Sequence, residues 1–273
     1  MKRIILVILS LSLSLSHSVY AQTRMIINKT NGTADSVLLS NIKNITFGTT
    51  PVAGTIILYD SFDANINNWT GWGDPLPLCV ASGFGRTGLF DNNGDANYGS
   101  GGYSKTAVTT TGGMLIEADI YLNITDQTGC WLGSSIGLTN TTNPTPSSVD
   151  LPEGLLFTME FSGDACWGDS VKYQRHKWFA ISLWPEDGTW DYPAWNRAPY
   201  LNADSYSSTA WHTLRIDITP SRIVNFYCDN KLIWTSVKKI NPSMLSNKNV
   251  VLGERSSGSA GKAYHDWVKV TTY

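Results

Sequence analysis

The sequence predicts an all-β fold, a sandwich of two antiparallel sheets, and three observations carry that prediction. Apolar and polar residues alternate with period two in segment after segment. Clusters of Gly, Asn, Pro and Ser separate those segments. No window of about 12 residues shows the apolar stripe of a helix. Of the 273 residues, 42% are hydrophobic, enough for a core and too many for wholesale disorder. Only 15% are charged, against about 25% in an average chain. The formal net charge is −2 with no basic cluster, so no nucleic-acid partner is expected.

The chain begins with a leader. Met1-Lys2-Arg3 is a positive start, Ile4 to Leu15 an apolar run broken by serines, and Val19-Tyr20-Ala21 a small-x-small cleavage site. That pattern is a secretory signal peptide covering residues 1–21. Its apolar part falls short of the roughly 20 residues of a membrane span. No later run reaches about 18 apolar residues, so no membrane span is expected. The mature chain is expected to be secreted, in the periplasm, at the cell surface or outside the cell.

Residues 22–54 form a short N-terminal segment and a linker. Met25-Ile26-Ile27, Val37-Leu38-Leu39 and Ile42 to Phe47 read as short strands, with a turn at Asn31-Gly32. Such a segment is too small to hold a core alone. Lys29-Thr30-Asn31-Gly32-Thr33 and Ile42-Lys43-Asn44-Ile45-Thr46-Phe47 resemble an element that follows the signal peptide in many secreted proteins of gram-negative bacteria. Gly48 to Gly54 reads as the linker.

From Thr55 to Tyr273 the strands follow one another. Met114, Ile116, Ala118, Ile120 and Leu122 fall on one face, with Leu115, Glu117, Asp119 and Tyr121 on the other. Leu155, Phe157, Met159 and Phe161 alternate with Leu156, Thr158 and Glu160. Val224, Phe226 and Cys228 alternate with Ile223, Asn225 and Tyr227. Long strands with one apolar face suit a two-sheet sandwich better than a barrel. The absence of an internal repeat argues against a propeller.

Trp211 to Ile218 followed by Val224 to Ile233 resembles the "WHxLxI … xFYxDGxLI" hairpin of the concanavalin A-like lectin/glucanase superfamily, which includes LamG-like domains. Leu58 to Asp63 and Tyr264 to Val270 resemble the first and last strands of that fold. The resemblance implies a jelly roll over residues 55–273. Asn230 stands where a turn Gly is usual, and Asn also tolerates the positive φ such a turn needs.

The stretch Lys177 to Tyr200 carries Trp178, Trp184, Trp190, Tyr192 and Trp195. Trp178, Ala180, Ser182 and Trp184 share one strand face, with Phe179, Ile181 and Leu183 opposite. Indoles separated by small residues offer flat apolar surface on which a sugar ring can stack. After Trp184 the Pro, Gly and Asp content predicts a loop, where binding residues tend to sit.

Paired carboxylates are the second candidate, because glycoside hydrolysis needs two. Glu117 and Asp119 lie about 6.8 Å apart on one strand face. The resemblance sharpens this. Glucanases of the fold carry Glu-x-Asp-x-Glu or Glu-x-Asp-x-x-Glu on one strand, and this chain has Tyr121 or Leu122 in place of the second Glu. Under a hydrolase reading, Glu117, Asp119 and Glu160 would be acid, base or nucleophile. The resemblance also implies a structural calcium where first and last strands meet. Asp60 and Asp266 match those positions, and carboxylates suit that hard ion. No cofactor is required.

Export would place Cys79, Cys130, Cys166 and Cys228 in an oxidising compartment, so at least one disulfide is expected. Four cysteines allow three pairings, and the spacing does not choose among them. No CxxC occurs, and His176, His212 and His265 are scattered, so a zinc site is not expected. Gly83 to Gly88 matches G-x-G-x-x-G but precedes no helix, which argues against a nucleotide. The sequence therefore predicts a secreted carbohydrate-binding protein that recognises a polysaccharide or glycan through an aromatic platform. A polysaccharide-degrading glycoside hydrolase is the alternative, and a non-catalytic cell-surface interaction domain the third reading.

Overall fold

The computed structural model describes residues 24–28, 34–38, 54–73, 76–92, 100–129, 131–139, 154–163, 175–188, 201–254, 256–257 and 260–273. The chain divides into two compact units, Met1–Thr50 and Pro51–Tyr273. In the first, β1 (Arg24–Asn28) pairs antiparallel with β2 (Ala34–Leu38), so the runs around Met25–Ile27 and Val37-Leu38 are strands of one hairpin.

The second unit holds two antiparallel sheets of eight strands each. The first runs β12 (Leu201–Asn202), β11 (His176–Leu183), β10 (Gly154–Ser162), β9 (Trp131–Thr139), β16 (Lys248–Glu254), β7 (Ser100–Val108), β4 (Trp69–Trp72), with β17 (Ser256–Ser257) also on β9. The second runs β15 (Lys231–Thr235), β14 (Val224–Cys228), β13 (His212–Ile218), β8 (Met114–Ile124), β18 (Gly261–Thr272), β6 (Arg86–Asp91), β5 (Leu78–Gly83), with β3 (Thr55–Asp60) also on β18. First and last strands therefore pair, Asp60 opposite Val268. Among the described residues no helix is long and apolar enough to cross a membrane.

Period two decides which side of each strand meets the core. Met114, Ile116, Ala118, Ile120 and Leu122 of β8 join Leu155, Phe157, Met159 and Phe161 of β10 in one buried cluster. Phe157 meets Phe226 of β14 across the layers, ring centroids 5.3 Å apart. Each such side chain contributes about 1.5–3 kcal/mol by leaving water. One polar group crosses the core. His265 of β18 is fully buried, with Nε2 3.2 Å from both Ser134 Oγ and Ser135 O of β9. Desolvation pushes its pKa down to about 4, so the ring is neutral at pH 7.

Two hairpins turn on residues in the left-handed region, as two-residue connections of strands with right-handed twist require. Asp229 and Asn230 (φ 50° and 63°) join β14 to β15, so Asn230 does take the positive φ expected of it. Phe84 and Gly85 (φ 49° and 77°) join β5 to β6. The glycine run at 83–88 is thus a hairpin turn leading into a strand.

Candidate functional site

The strand registers align residues into rows across the outer face of the first sheet. One row is Ala180, Thr158, Ser135, Gly253, Gly101 and Trp72, each opposite the next. Its centre is floored by small residues because bulk there would collide. A Cβ on Gly101 would come 2.8 Å from Trp72 Cζ2, and one on Gly253 3.0 Å, so the indole of Trp72 lies flat against both glycines. Beside this row Trp178 stands opposite Glu160, and Glu160 opposite Gly133. Ser182 lies two residues beyond Ala180, and Ser162 two beyond Glu160, on the same face.

The floor is covered. Thr158 and Glu160 are each 1% exposed, Ser135 5% and Ser182 7%, while Trp72, Tyr103 and Ala180 are half-buried. Ser135 Oγ and Thr158 Oγ1 share a hydrogen bond of 2.7 Å. Three buried polar atoms on this face have no hydrogen-bond partner: Trp72 Nε1, Ser162 Oγ and Ser182 Oγ. Leaving each group unpaired costs about 1–3 kcal/mol, so their grouping on one face requires an explanation. Trp72, Ser135, Ser162, Gly101 and Gly253 carried no motif. Their signal was only the recurrence of small residues opposite core positions.

Of the expected aromatic platform, Trp178 lies on this face at 5% exposure. Trp184 does not join it. The strand ends at Leu183, Pro185 bridges to Ile240, and the Trp184 indole packs against the main core. Trp190, Tyr192 and Trp195 lie outside the described residues.

The three carboxylates are not brought together. Glu160 sits on the outer face of the first sheet, whereas Glu117 and Asp119 sit on the outer face of the second, with the core between. Face-to-face sheets pack about 10 Å apart, and these side chains point in opposite directions, so they cannot share a substrate. Glu117 is paired with Lys269 Nζ at 2.7 Å. Asp119 accepts from Arg86 at 3.2 Å and from Thr213 Oγ1 at 2.5 Å. Tyr121 beside them packs in a small second core with Leu89 and Tyr264, stacked under Phe84 at 4.2 Å. Sequence alternation placed these residues correctly on a non-core face, but that face belongs to the other sheet.

Asp60 and Asp266, the residues expected to hold a calcium, are each engaged by other groups. Asp60 Oδ1 accepts from Phe62 N at 2.9 Å, and Oδ2 from Asn68 Nδ2 at 3.2 Å and Trp69 Nε1 at 3.0 Å. Asp266 pairs with Arg86 at 2.8 Å. Burial pushes the Asp266 carboxyl above its ordinary value, with Arg86 opposing. A calcium would compete with the Arg86 guanidinium at Asp266 and with three N–H donors at Asp60. Among the described residues, His212, Cys228 and Asp229 bring potential ligand atoms within 4.8 Å of one another. Yet His212 is already held at both nitrogens, by Asp229 at 2.7 Å and Ser207 O at 2.7 Å. Burial pushes the Cys228 thiol well above its ordinary value, away from the thiolate a metal needs. Cys79 and Cys228 carry free thiols, so neither forms the expected disulfide; Cys130 and Cys166 lie outside the described residues.

No protein-family model and no curated protein matches the chain. Solved structures do. The chain is similar to a GH16 protein of the Bacteroides ovatus mixed-linkage glucan locus, solved with a G4G4G3G product. Identity is 15%, coverage 79% of this chain and 100% of that one, and the TM-score 0.50. It is also similar to the potassium-bound Emp46p carbohydrate recognition domain, at 15% identity, covering 75% of this chain and 88% of that one, with a TM-score of 0.48. The β-agarase A of Zobellia galactanivorans matches at 11% identity, covering 80% and 92%, with a TM-score of 0.47. At these identities the likeness is one of fold. The chain has a jelly-roll fold of two antiparallel sheets.

Proposed function

We propose that the protein binds a glycan on the outer face of its first sheet, between Trp72 and Trp178, as a carbohydrate-recognition protein. The observation that carries this reading is the set of three buried, unpartnered polar atoms on a face floored by small residues and flanked by two indoles. Sugar hydroxyls both donate and accept, and because Ser182 and Ser162 lie six residues apart along the β10–β11 ladder, about 20 Å, successive units of an extended glycan would meet these groups one by one. Its C–H faces suit the indoles, each stacked aromatic contributing about 1 kcal/mol beyond its burial.

Binding is favoured over hydrolysis for a chemical reason. Cleavage of a glycosidic bond uses two carboxyl groups about 5–9.5 Å apart. Among residues whose side chains are described, Glu160 is the only carboxylate in the strands of this sheet. Among the described side chains, Glu160 can accept sugar hydroxyls but has no second carboxylate beside it on these strands for the double task.

The test is retention on a panel of β-glucans, galactans and xylans by affinity electrophoresis. The double change Trp72→Ala and Trp178→Ala should weaken retention roughly tenfold, two stacking contributions of about 1 kcal/mol each being partly offset by relaxation. Unchanged retention in a folded double variant refutes the proposal. No reducing sugar should be released from any of these polymers. Turnover that vanishes in Glu160→Gln would install the hydrolase instead.

A further inference from the structure

At one lateral seam of the sandwich the two sheets stand apart. β3 belongs to one layer, β4 and β7 to the other, and between them lies a cavity of about 270 Å³. Leu58, Tyr59, Asp60, Asn68, Trp69 and Thr106 are among its walls. The volume falls just below the roughly 300–1,000 Å³ of common small-molecule pockets, so it fits one ring rather than a chain.

The lining has a definite chemistry. Among the described residues, Asp60 is the only charged side chain in it. Its carboxylate is fixed by three N–H donors, from Phe62, Asn68 and Trp69. A carboxylate offers about four lone-pair sites, so one acceptor position remains. That is enough for a hydroxyl, whereas a cation would compete with three donors already directed at the same oxygens. The Thr106 hydroxyl and the Asn68 amide oxygen supply further polar groups, and Leu58 and Ile57 supply aliphatic wall. Tyr59, 60% exposed, presents a ring at the mouth.

We propose that this seam pocket is a second binding site, which takes a single neutral hydroxylated ring of monosaccharide size. Asp60 accepts one ring hydroxyl, and the aliphatic wall covers a C–H face. The same three bonds that pre-orient the Asp60 carboxylate hold the segment from Phe62 to Trp69, so the site is preformed. It lies at the edge of the sandwich and shares no residue with the outer-face site proposed above, on which it does not depend.

Saturation-transfer NMR with methyl glycosides of glucose, galactose, mannose and xylose at millimolar concentration tests the site. At least one glycoside should receive saturation from the wild-type protein. Thr106→Trp, which fills the cavity from an exposed position, should weaken that glycoside at least tenfold with little change in melting temperature. Thr106→Arg, which brings a guanidinium to Asp60, should do the same and serves if the Trp variant misfolds. The Trp72→Ala and Trp178→Ala double variant should keep the signal, which separates this site from the outer face. The proposal is overturned if no glycoside is saturated, if both Thr106 variants retain full binding, or if the signal is lost only with the outer-face variant. It is equally overturned if calcium or methylammonium, added alone, abolishes the glycoside signal in the wild type.

Discussion

The Glu117 carboxylate lies 2.7 Å from Lys269 Nζ, with the pair 15% and 32% exposed. Ion pairs so close to solvent contribute at most about 1 kcal/mol. Glu117→Gln should therefore lower stability by less than that, seen in a urea melt, and leave glycan retention unchanged. Glu160→Gln, on the face proposed to bind, should weaken retention several-fold with the same panel. If Glu117→Gln abolished binding instead, the second sheet would carry the site. Asn230 illustrates a different dependence. Its φ of 63° is demanded by a two-residue turn, and Asn meets that demand where Gly is usual.

The turn of the β5–β6 hairpin is tied to the rest of its sheet by a small set of side chains. Arg86, next to the turn, pairs with Asp119 of β8 and Asp266 of β18 and lies over Trp211, 5.4 Å from the ring. Phe84, at an unfavourable positive φ, is held by stacking on Tyr121 and by its carbonyl, which accepts from Trp211 Nε1 at 3.0 Å. Removing the guanidinium leaves the Asp119 and Asp266 carboxylates near each other without their shared cation. Arg86→Ala should accelerate amide exchange in β5 and β6 by tenfold or more, with β10 and β11 unaffected. Uniform acceleration across both sheets would mean that Arg86 supports the whole sandwich rather than the hairpin.

At the scale of the whole molecule, His265 is a fully buried polar contact between the layers, and it makes stability depend on pH. Its folded pKa is depressed to about 4 from an ordinary 6.5. Below pH 6.5 the unfolded chain takes up a proton that the folded chain refuses. Stability is therefore fully present above about pH 6.5 and falls steadily toward pH 4. The loss is on the order of 3 kcal/mol over that window, or several degrees of melting temperature. His265→Phe should flatten the profile between pH 6.5 and 4 relative to wild type. An unchanged slope in that variant would assign the acid sensitivity to other groups.

The sequence by itself determined the fold class and the inward face of several long strands. Met114 to Leu122, Leu155 to Phe161 and Val224 to Cys228 each bury the residues their alternation assigned. It also determined the turn at Asn230, whose φ is positive. Only the tertiary structure decided which strands are neighbours, and with that which side chains meet. Glu160 and Glu117 each lie on a non-core face of a strand, yet β10 and β8 entered different sheets. Trp72, Gly101, Gly253 and Ser135 come from four separate strands and converge only through their registers. The reason is physical: period two is a property of one strand's pleat and is written locally. Sheet order is set by hydrogen bonds between segments tens to hundreds of residues apart, whose backbone donors and acceptors are identical whatever the sequence.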